Sequence, residues 1–213
     1  PSTPVAVARW AGLIAAGGLG TRFDPAQAKQ LIDINGQSVL EWSLCAVRPH
    51  VDILIVALPR GMAVPDTTTP VDHWVEGGLS RAMSIAHMIN ALPMDITHLL
   101  IHDAARPAVD SDLIARLKQE GLRLGSVIPA LPVSDTIKRF VLHGQERVVS
   151  ETLTRSELVC VQTPQAFRRD WYETALSRAR CTQDSSLSTV TDDAMLLEMG
   201  GFPVYVTDGS PSN

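Results

Sequence analysis

Three glycines within four positions, Gly17-Gly18-Leu19-Gly20, lead into Thr21 and Arg22, and Lys29 follows seven residues after the arginine. Without a Cβ, such residues admit positive φ angles and let a ligand approach the main chain. N–H groups freed in a turn of this kind cradle phosphate oxygens. A tight strand-to-helix turn with no ligand satisfies the same residues. Two familiar nucleotide motifs fail: a dinucleotide fingerprint needs glycine at Phe23, and a P-loop needs a closing Gly-Lys-Ser/Thr. The chain carries 15 arginines but only three lysines, Lys29, Lys118 and Lys138. A lysine beside an anion cradle neutralises phosphate, which singles out Lys29; Lys118, mid-helix, reads as a solvated charge.

Asp103 ends the apolar run His98-Leu99-Leu100-Ile101-His102. The ligand crevice of a parallel sheet lies at the carboxyl ends of its strands. A carboxylate there suits Mg²⁺, which takes oxygen ligands and bridges substrate phosphates; a helix-capping or turn aspartate would need no metal. Arg106 is spaced either to pair with Asp103 or to contact a phosphate. His102 reads as a packed strand residue and not a catalyst, and the six histidines show no metal-ligand spacing. Cys45, Cys160 and Cys181 are odd in number and form no CxxC, so they read as reduced thiols of a cytoplasmic protein.

The elements that must position these groups alternate. Trp10 to Ala16, Ile53 to Leu58, His98 to His102 and Ser126 to Ala130 are short continuous apolar runs, the texture of strands covered on both faces. Between them lie helical spacings: Val39 to Val47 with Ser38 as cap, Leu79 to Leu92, and Asp110 to Gly121 with an acidic start and a glycine stop. Such alternation predicts right-handed crossovers and a mostly parallel α/β sheet flanked by helices. Thr136 to Leu142 and Arg147 to Thr152 flank His143-Gly144-Gln145-Glu146 and predict a β-hairpin. An isolated hairpin is marginal in water, so this one needs support, and a second copy of the chain is a candidate. Helical spacing returns over Arg168 to Arg180 and Asp192 to Met199, with a Ser/Thr-rich loop over Thr182 to Thr191.

With 213 residues and no obvious linker, one domain over 1–213 is expected, the hairpin (134–155) being an arm of it. Hydrophobic residues make up 45% and charged residues 19%, against roughly 25% charged in an average soluble chain, which excludes intrinsic disorder. A net charge of −5 argues against a nucleic-acid-binding surface. No apolar run approaches the roughly 18 residues of a membrane span, and Pro1 to Trp10 lacks the layout of a signal peptide.

Ala15 to Arg22 with Ala28-Lys29-Gln30 resembles the signature of sugar-phosphate nucleotidyltransferases. Gly77-Gly78-Leu79-Ser80-Arg81 with Ser84, His102 to Pro107, Asp135 to Lys138, Gln162 to Gln165 and Thr191-Asp192 follow in order. Together they resemble the 2-C-methyl-D-erythritol 4-phosphate cytidylyltransferases of the non-mevalonate isoprenoid pathway, over Leu13 to Asn213. The resemblance implies a Rossmann-like nucleotidyltransferase sheet and a reaction of CTP with methylerythritol phosphate that yields a cytidine diphosphate sugar alcohol and pyrophosphate. It gives Arg22 and Lys29 the catalytic cation positions. It assigns the nucleotide to Ala15, Ala16, Gly17, Gly18, Gly20, Gly77, Gly78 and Ser84. The sugar phosphate falls to Asp103, Arg106, Thr136, Arg155 and Thr163, with Asp103 also holding Mg²⁺. Thr136 and Arg155 would act from an arm reaching into the partner subunit of a homodimer, and Asp192 would support a loop.

Two departures stand out. The family usually has proline where this chain has Ala28, and its members continue beyond the position of Asn213 with an Ile-Lys-x-Thr segment whose lysine contacts the substrate phosphate. The chain is therefore expected to be a shortened form or a domain of a fused enzyme. The nearest rival is a ribitol 5-phosphate cytidylyltransferase; a non-catalytic nucleotide-binding regulator of the same fold is another. Retention of Arg22, Lys29 and Asp103 argues against the regulator.

Overall fold

The computed structural model describes residues 7–17, 29–181 and 190–213. In chain order, β1 (Trp10–Ala15) is followed by a short ribbon, β2 (Asp33–Ile34) and β3 (Gln37–Ser38), then α1 (Val39–Val47) and β4 (Ile53–Leu58). Next come β5 (His73–Glu76), α2 (Arg81–Asn90), β6 (His98–Asp103), α3 (Ser111–Leu124) and β7 (Ser126–Pro132). A hairpin of β8 (Lys138–His143) and β9 (Glu146–Thr152) precedes β10 (Val159–Val161) and β11 (Gln165–Arg168). The chain then forms α4 (Arg169–Cys181), α5 (Asp193–Met199) and β12 (Tyr205–Asp208).

Among the described residues eight strands form one sheet in the order β10-β7-β11-β6-β1-β4-β5, with β12 pairing β7 off this path. The pairs β1–β4, β1–β6, β4–β5 and β7–β12 are parallel, and β10 and β11 run antiparallel to their neighbours, so the expected mainly parallel sheet is present. Successive side chains of a strand point to opposite faces. Leu13, Ile55 and Ile101 accordingly enter a core with Ile85 of α2, Tyr172 of α4 and Leu197 of α5. Ile14, Leu54, Val56 and Leu100 enter a second core with Leu40 and Leu44 of α1 and Ile114 and Leu117 of α3. Burial on both faces is why the strands read as unbroken apolar runs.

Helix starts follow the sequence closely. Ser38, Ser80 and Asp110 each accept a hydrogen bond from the backbone N–H three residues on, at 3.1, 3.2 and 2.7 Å, which satisfies donors left open at a helix start. The second helix begins at Arg81 and not at Leu79, which is exposed. The third helix does not stop at Gly121. It runs to Leu124 and ends on Gly125, whose φ of 83° is the left-handed cap conformation. Gly121 is instead a packing glycine: a Cβ there would stand 3.1 Å from Trp10 Cη2. Lys118 is likewise not a solvated charge, since its ammonium bonds His50 O and lies 5.4 Å over the Trp10 ring. The expected Ser/Thr-rich loop falls largely on 182–189, outside the described residues.

Candidate active site

β1, β4 and β6 run in register, with Ala15 paired to both Ala57 and Asp103. Their carboxyl ends therefore finish at one edge, where a cavity of about 1040 Å³ opens. Ala15, Ala16, Gly17, Lys29, Gly78, Ser84, Asp103, Arg106 and Thr163 all line it, bringing together residues 148 positions apart in the chain. Gly77 backs the wall: its N–H donates to Leu58 O at 2.7 Å, and a Cβ would crowd that oxygen at 3.0 Å and Ser84 Oγ at 3.2 Å. Gly18, Gly20 and Arg22 lie outside the described residues. Thr136 and Arg155 are not brought to the cavity by their own chain. Both are exposed at the root of the arm, where Arg155 Nη1 donates to Ser134 O at 2.9 Å.

Each wall is tied down locally. Buried Gln30 donates its Nε2 proton to Ala16 O at 2.9 Å, which fastens the 3₁₀ turn Lys29–Leu31 to the end of β1 and sets Lys29 at the cavity. Ser84 spends its hydroxyl on the loop before its own helix, donating to Ser80 O and accepting from Gly78 N–H, both at 3.0 Å. Thr163 sits in the stretch between β10 and β11, which flank β7 and both run antiparallel to it. Its Oγ1 accepts from Asp103 N–H at 3.1 Å and lies 3.1 Å from His102 Nδ1. His102 Nε2 faces Arg106 O at 3.0 Å, so that nitrogen carries the proton. His102 is thus packed, as expected, but packed into a polar chain joining β6, the loop after it and Thr163. Burial pushes its pKa down to about 4.

The strongest charges at the cavity are ones that spacing did not reveal. Arg81, in the Gly77–Arg81 stretch but given no role by sequence, donates from Nε and Nη2 to Asp103 Oδ1 at 3.2 and 2.9 Å. Its Nη1 bonds Asp193 Oδ2. Burial alone would weaken the guanidinium's hold on its proton; Asp193 and Asp103 outweigh it and raise the pKa. Arg106 Nε stands 3.8 Å from Asp103 Oδ2, the pairing left open by the sequence. Gln162, Gln165, Arg60 and Asp192 also line the cavity. Gln165 Nε2 donates to Asp192 Oδ2 at 3.2 Å, while its buried Oε1 has no partner among the described residues. Asp192 itself caps α5 by accepting from Met195 N–H at 3.0 Å. Asp103 is the strand-end carboxylate, with Oδ1 occupied by Arg81 and Oδ2 turned to Arg106; no cluster of three metal-ligating side chains exists among the described residues.

No helix among the described residues is long and apolar enough to cross a membrane. The family model described as "IspD: 2-C-methyl-D-erythritol 4-phosphate cytidylyltransferase" matches residues 11–213. A protein of that name from Prochlorococcus marinus is 39% identical, the match covering 94% of this chain and 89% of that one. A bifunctional enzyme IspD/IspF from Anaeromyxobacter dehalogenans is 37% identical over 95% of this chain, which spans 52% of its length. The crystal structure of the cytidylyltransferase from Thermus thermophilus superposes with a TM-score of 0.78 at 31% identity, covering 96% of this chain and 90% of that one. This sheet, this cavity and these likenesses agree, and the chain belongs to the 2-C-methyl-D-erythritol 4-phosphate cytidylyltransferase family.

Proposed function

We propose that the cavity binds CTP and 2-C-methyl-D-erythritol 4-phosphate and joins them into 4-diphosphocytidyl-2-C-methyl-D-erythritol with release of pyrophosphate. The observation that carries the reading is the composition of a single cavity wall to wall: main-chain Ala15 to Gly17 and Lys29 on one side, Asp103, Arg106 and Thr163 on the other. A phosphate oxygen of the sugar alcohol attacks the α-phosphorus of CTP. The new P–O bond forms as the bond to the β-phosphate oxygen breaks, and the electron pair leaves with pyrophosphate. The nucleophile is already an oxyanion, so no general base is needed. The barrier is repulsion between polyanions, and the remedy is positioning and positive charge. Lys29 supplies charge at the α-phosphate, and Arg22 is given the same duty. Ala15, Ala16 and the Gly77–Gly78 turn offer backbone groups to the cytosine and ribose, with Ser84 holding that turn in shape.

Asp103 would hold Mg²⁺ through Oδ2. Magnesium is commonly held by one or two carboxylates, the substrate phosphates and water filling its remaining positions, and the single strand-end carboxylate fits that pattern. The chemistry the ion would supply there is positive charge beside the phosphates as pyrophosphate departs. Arg106 contacts the sugar phosphate, and Thr163, whose hydroxyl proton goes to His102 Nδ1, holds Asp103 beside it.

The working unit is a homodimer. Among the described residues β8 and β9 pair only with one another, and Phe140, Leu142 and Val149 on this arm are 49, 65 and 59% exposed. A two-stranded ribbon with such apolar residues in water calls for cover. A partner's cavity provides it and would receive Thr136 and Arg155. The reduced thiols and the substrates fit a cytoplasmic setting. Pyrophosphate release measured with each of four nucleotides, against methylerythritol phosphate and ribitol 5-phosphate, tests the reading. Release with CTP and methylerythritol phosphate alone is expected; faster release with ribitol 5-phosphate would assign the rival substrate.

A further inference from the structure

Tyr172 lies outside the cavity, on the inner face of α4 with Ala175, Leu176 and Ala179, and has no exposed surface. Packing alone would be served by phenylalanine. The hydroxyl needs a buried partner, and it donates to Asp193 Oδ1 at 2.6 Å. Asp193, at the first turn of α5, has a side chain only 2% exposed, so its charge must be compensated within the protein. Among the described residues two groups do this: the Tyr172 hydroxyl on Oδ1 and the Arg81 Nη1 on Oδ2. With Nη1 committed there, the rest of the guanidinium edge, Nε and Nη2, falls on one oxygen of Asp103. The other oxygen is left toward Arg106 and the cavity.

We propose that Tyr172 is a positioning residue for Asp103: through Asp193 and Arg81, its hydroxyl fixes which carboxylate oxygen Asp103 presents to the cavity. The physical basis is competition for a planar fork. Arginine binds a carboxylate best in a bidentate manner. If Oδ1 of Asp193 loses the phenol, both of its oxygens become open to Arg81, and the buried carboxylate takes the whole fork. Asp103 then loses its clamp and turns. The consequence for ligand binding rests on the reading of Asp103 as the carboxylate that meets magnesium and nucleotide. The rotation itself does not.

Tyr172→Phe removes one oxygen and keeps the ring. Crystals of the ligand-free variant are expected to show Arg81 bidentate on Asp193 and its Nε and Nη2 more than about 4 Å from Asp103, beyond ion-pair reach; an unchanged Arg81–Asp103 pair would overturn the proposal. Calorimetry of CTP with MgCl₂ is expected to show affinity about tenfold weaker in Tyr172→Phe, the size of one charge-assisted hydrogen bond. In an Asp103→Asn background the same substitution should change affinity less than about twofold, since positions acting through one another are not additive. Equal losses in both backgrounds would mean that Tyr172 only supports packing, and the proposal would fall. Should wild-type protein bind no CTP while the crystals show the expected rotation, the nucleotide reading fails and the positioning role stands. If Tyr172→Phe does not fold, Asp193→Asn, which retains an acceptor for the phenol but not the charge that holds Arg81, is expected by the same competition to bring the guanidinium bidentate onto both oxygens of Asp103; an Arg81–Asp103 pair unchanged from wild type would overturn the proposal.

Discussion

Thr163 Oγ1 and His102 Nδ1 stand 3.1 Å apart, and because the other ring nitrogen donates to Arg106 O, the threonine is the donor in this pair. The same oxygen accepts from Asp103 N–H. One hydroxyl thereby joins the end of β6 to the stretch between β10 and β11, and the histidine holds the far side of the loop. Thr163→Val removes both bonds while keeping the shape. We expect at least about tenfold lower kcat/KM in the variant, from two lost hydrogen bonds at about 1 kcal/mol each, and Thr163→Ser to recover most of it. Steady-state kinetics of the pair check this.

The same histidine sets a pH dependence. Its folded pKa, pushed down to about 4 by burial, lies below the ordinary 6.5, so the unfolded chain takes up the proton first as pH falls. His102's contribution is therefore complete above about pH 6.5 and is lost progressively as pH falls toward 4, where the loss amounts to about 3 kcal/mol. Urea unfolding at several pH values should show this slope in wild-type protein and a shallower one in His102→Asn.

Lys29→Ala should lower kcat by about 10² to 10³, the usual cost of removing one preorganised charge from a developing anion. Lys29 lies on a surface turn held by Gln30, so the melting temperature should move little. Pyrophosphate release and thermal unfolding, measured on the same preparation, separate the two effects.

Glu41 of α1 is a stabilising residue far from the chemistry. Burial raises its pKa, but hydrogen bonds from the Thr68 and Thr69 side chains, the Thr69 N–H and the Cys45 thiol outweigh it and hold the carboxyl below its usual range. Thr69 Oγ1 and N–H donate to Oε1 at 2.6 and 2.8 Å. Glu41→Ala should cost about 2 to 3 kcal/mol, because hydrogen bonds to a charge are worth about 1.5–3 kcal/mol and the loop donors lose their acceptor. Denaturant unfolding gives the number, and turnover at room temperature should be near wild type.

Val149→Glu on the arm should give a folded monomer with sharply reduced turnover. Sedimentation velocity and circular dichroism would check both parts; an active monomer would count against shared sites.

Much of the frame was legible because β1, β4, β6 and β7 are covered on both faces and so carry unbroken apolar runs. Short edge strands such as β5, with only partial burial, and β10, exposed along its length, lack that texture and leave no comparable mark in the sequence. Gly121 misled as a helix stop because a packing glycine and a capping glycine are the same letter. At the cavity, the glycine turn after β1 and a strand-end aspartate could be read from position, whereas Thr163 and the Gly77–Gly78 turn came only with the family resemblance. The Arg81–Asp193 pair, 112 residues apart, could not, since only the tertiary fold makes a buried carboxylate and an arginine neighbours. Nor could Tyr172, which is indistinguishable from any core aromatic until its hydroxyl is seen to have a partner.

β7, the arm, β10, Thr163 and β11 follow one another along the chain, with no helix longer than a single 3₁₀ turn interrupting them. Strain applied at the tip of the arm, near Gly144, has a short covalent route to the wall that carries Thr163. A mechanical load, a fluorophore pair or a crosslink placed on that tip would therefore report on, and act upon, the cavity itself.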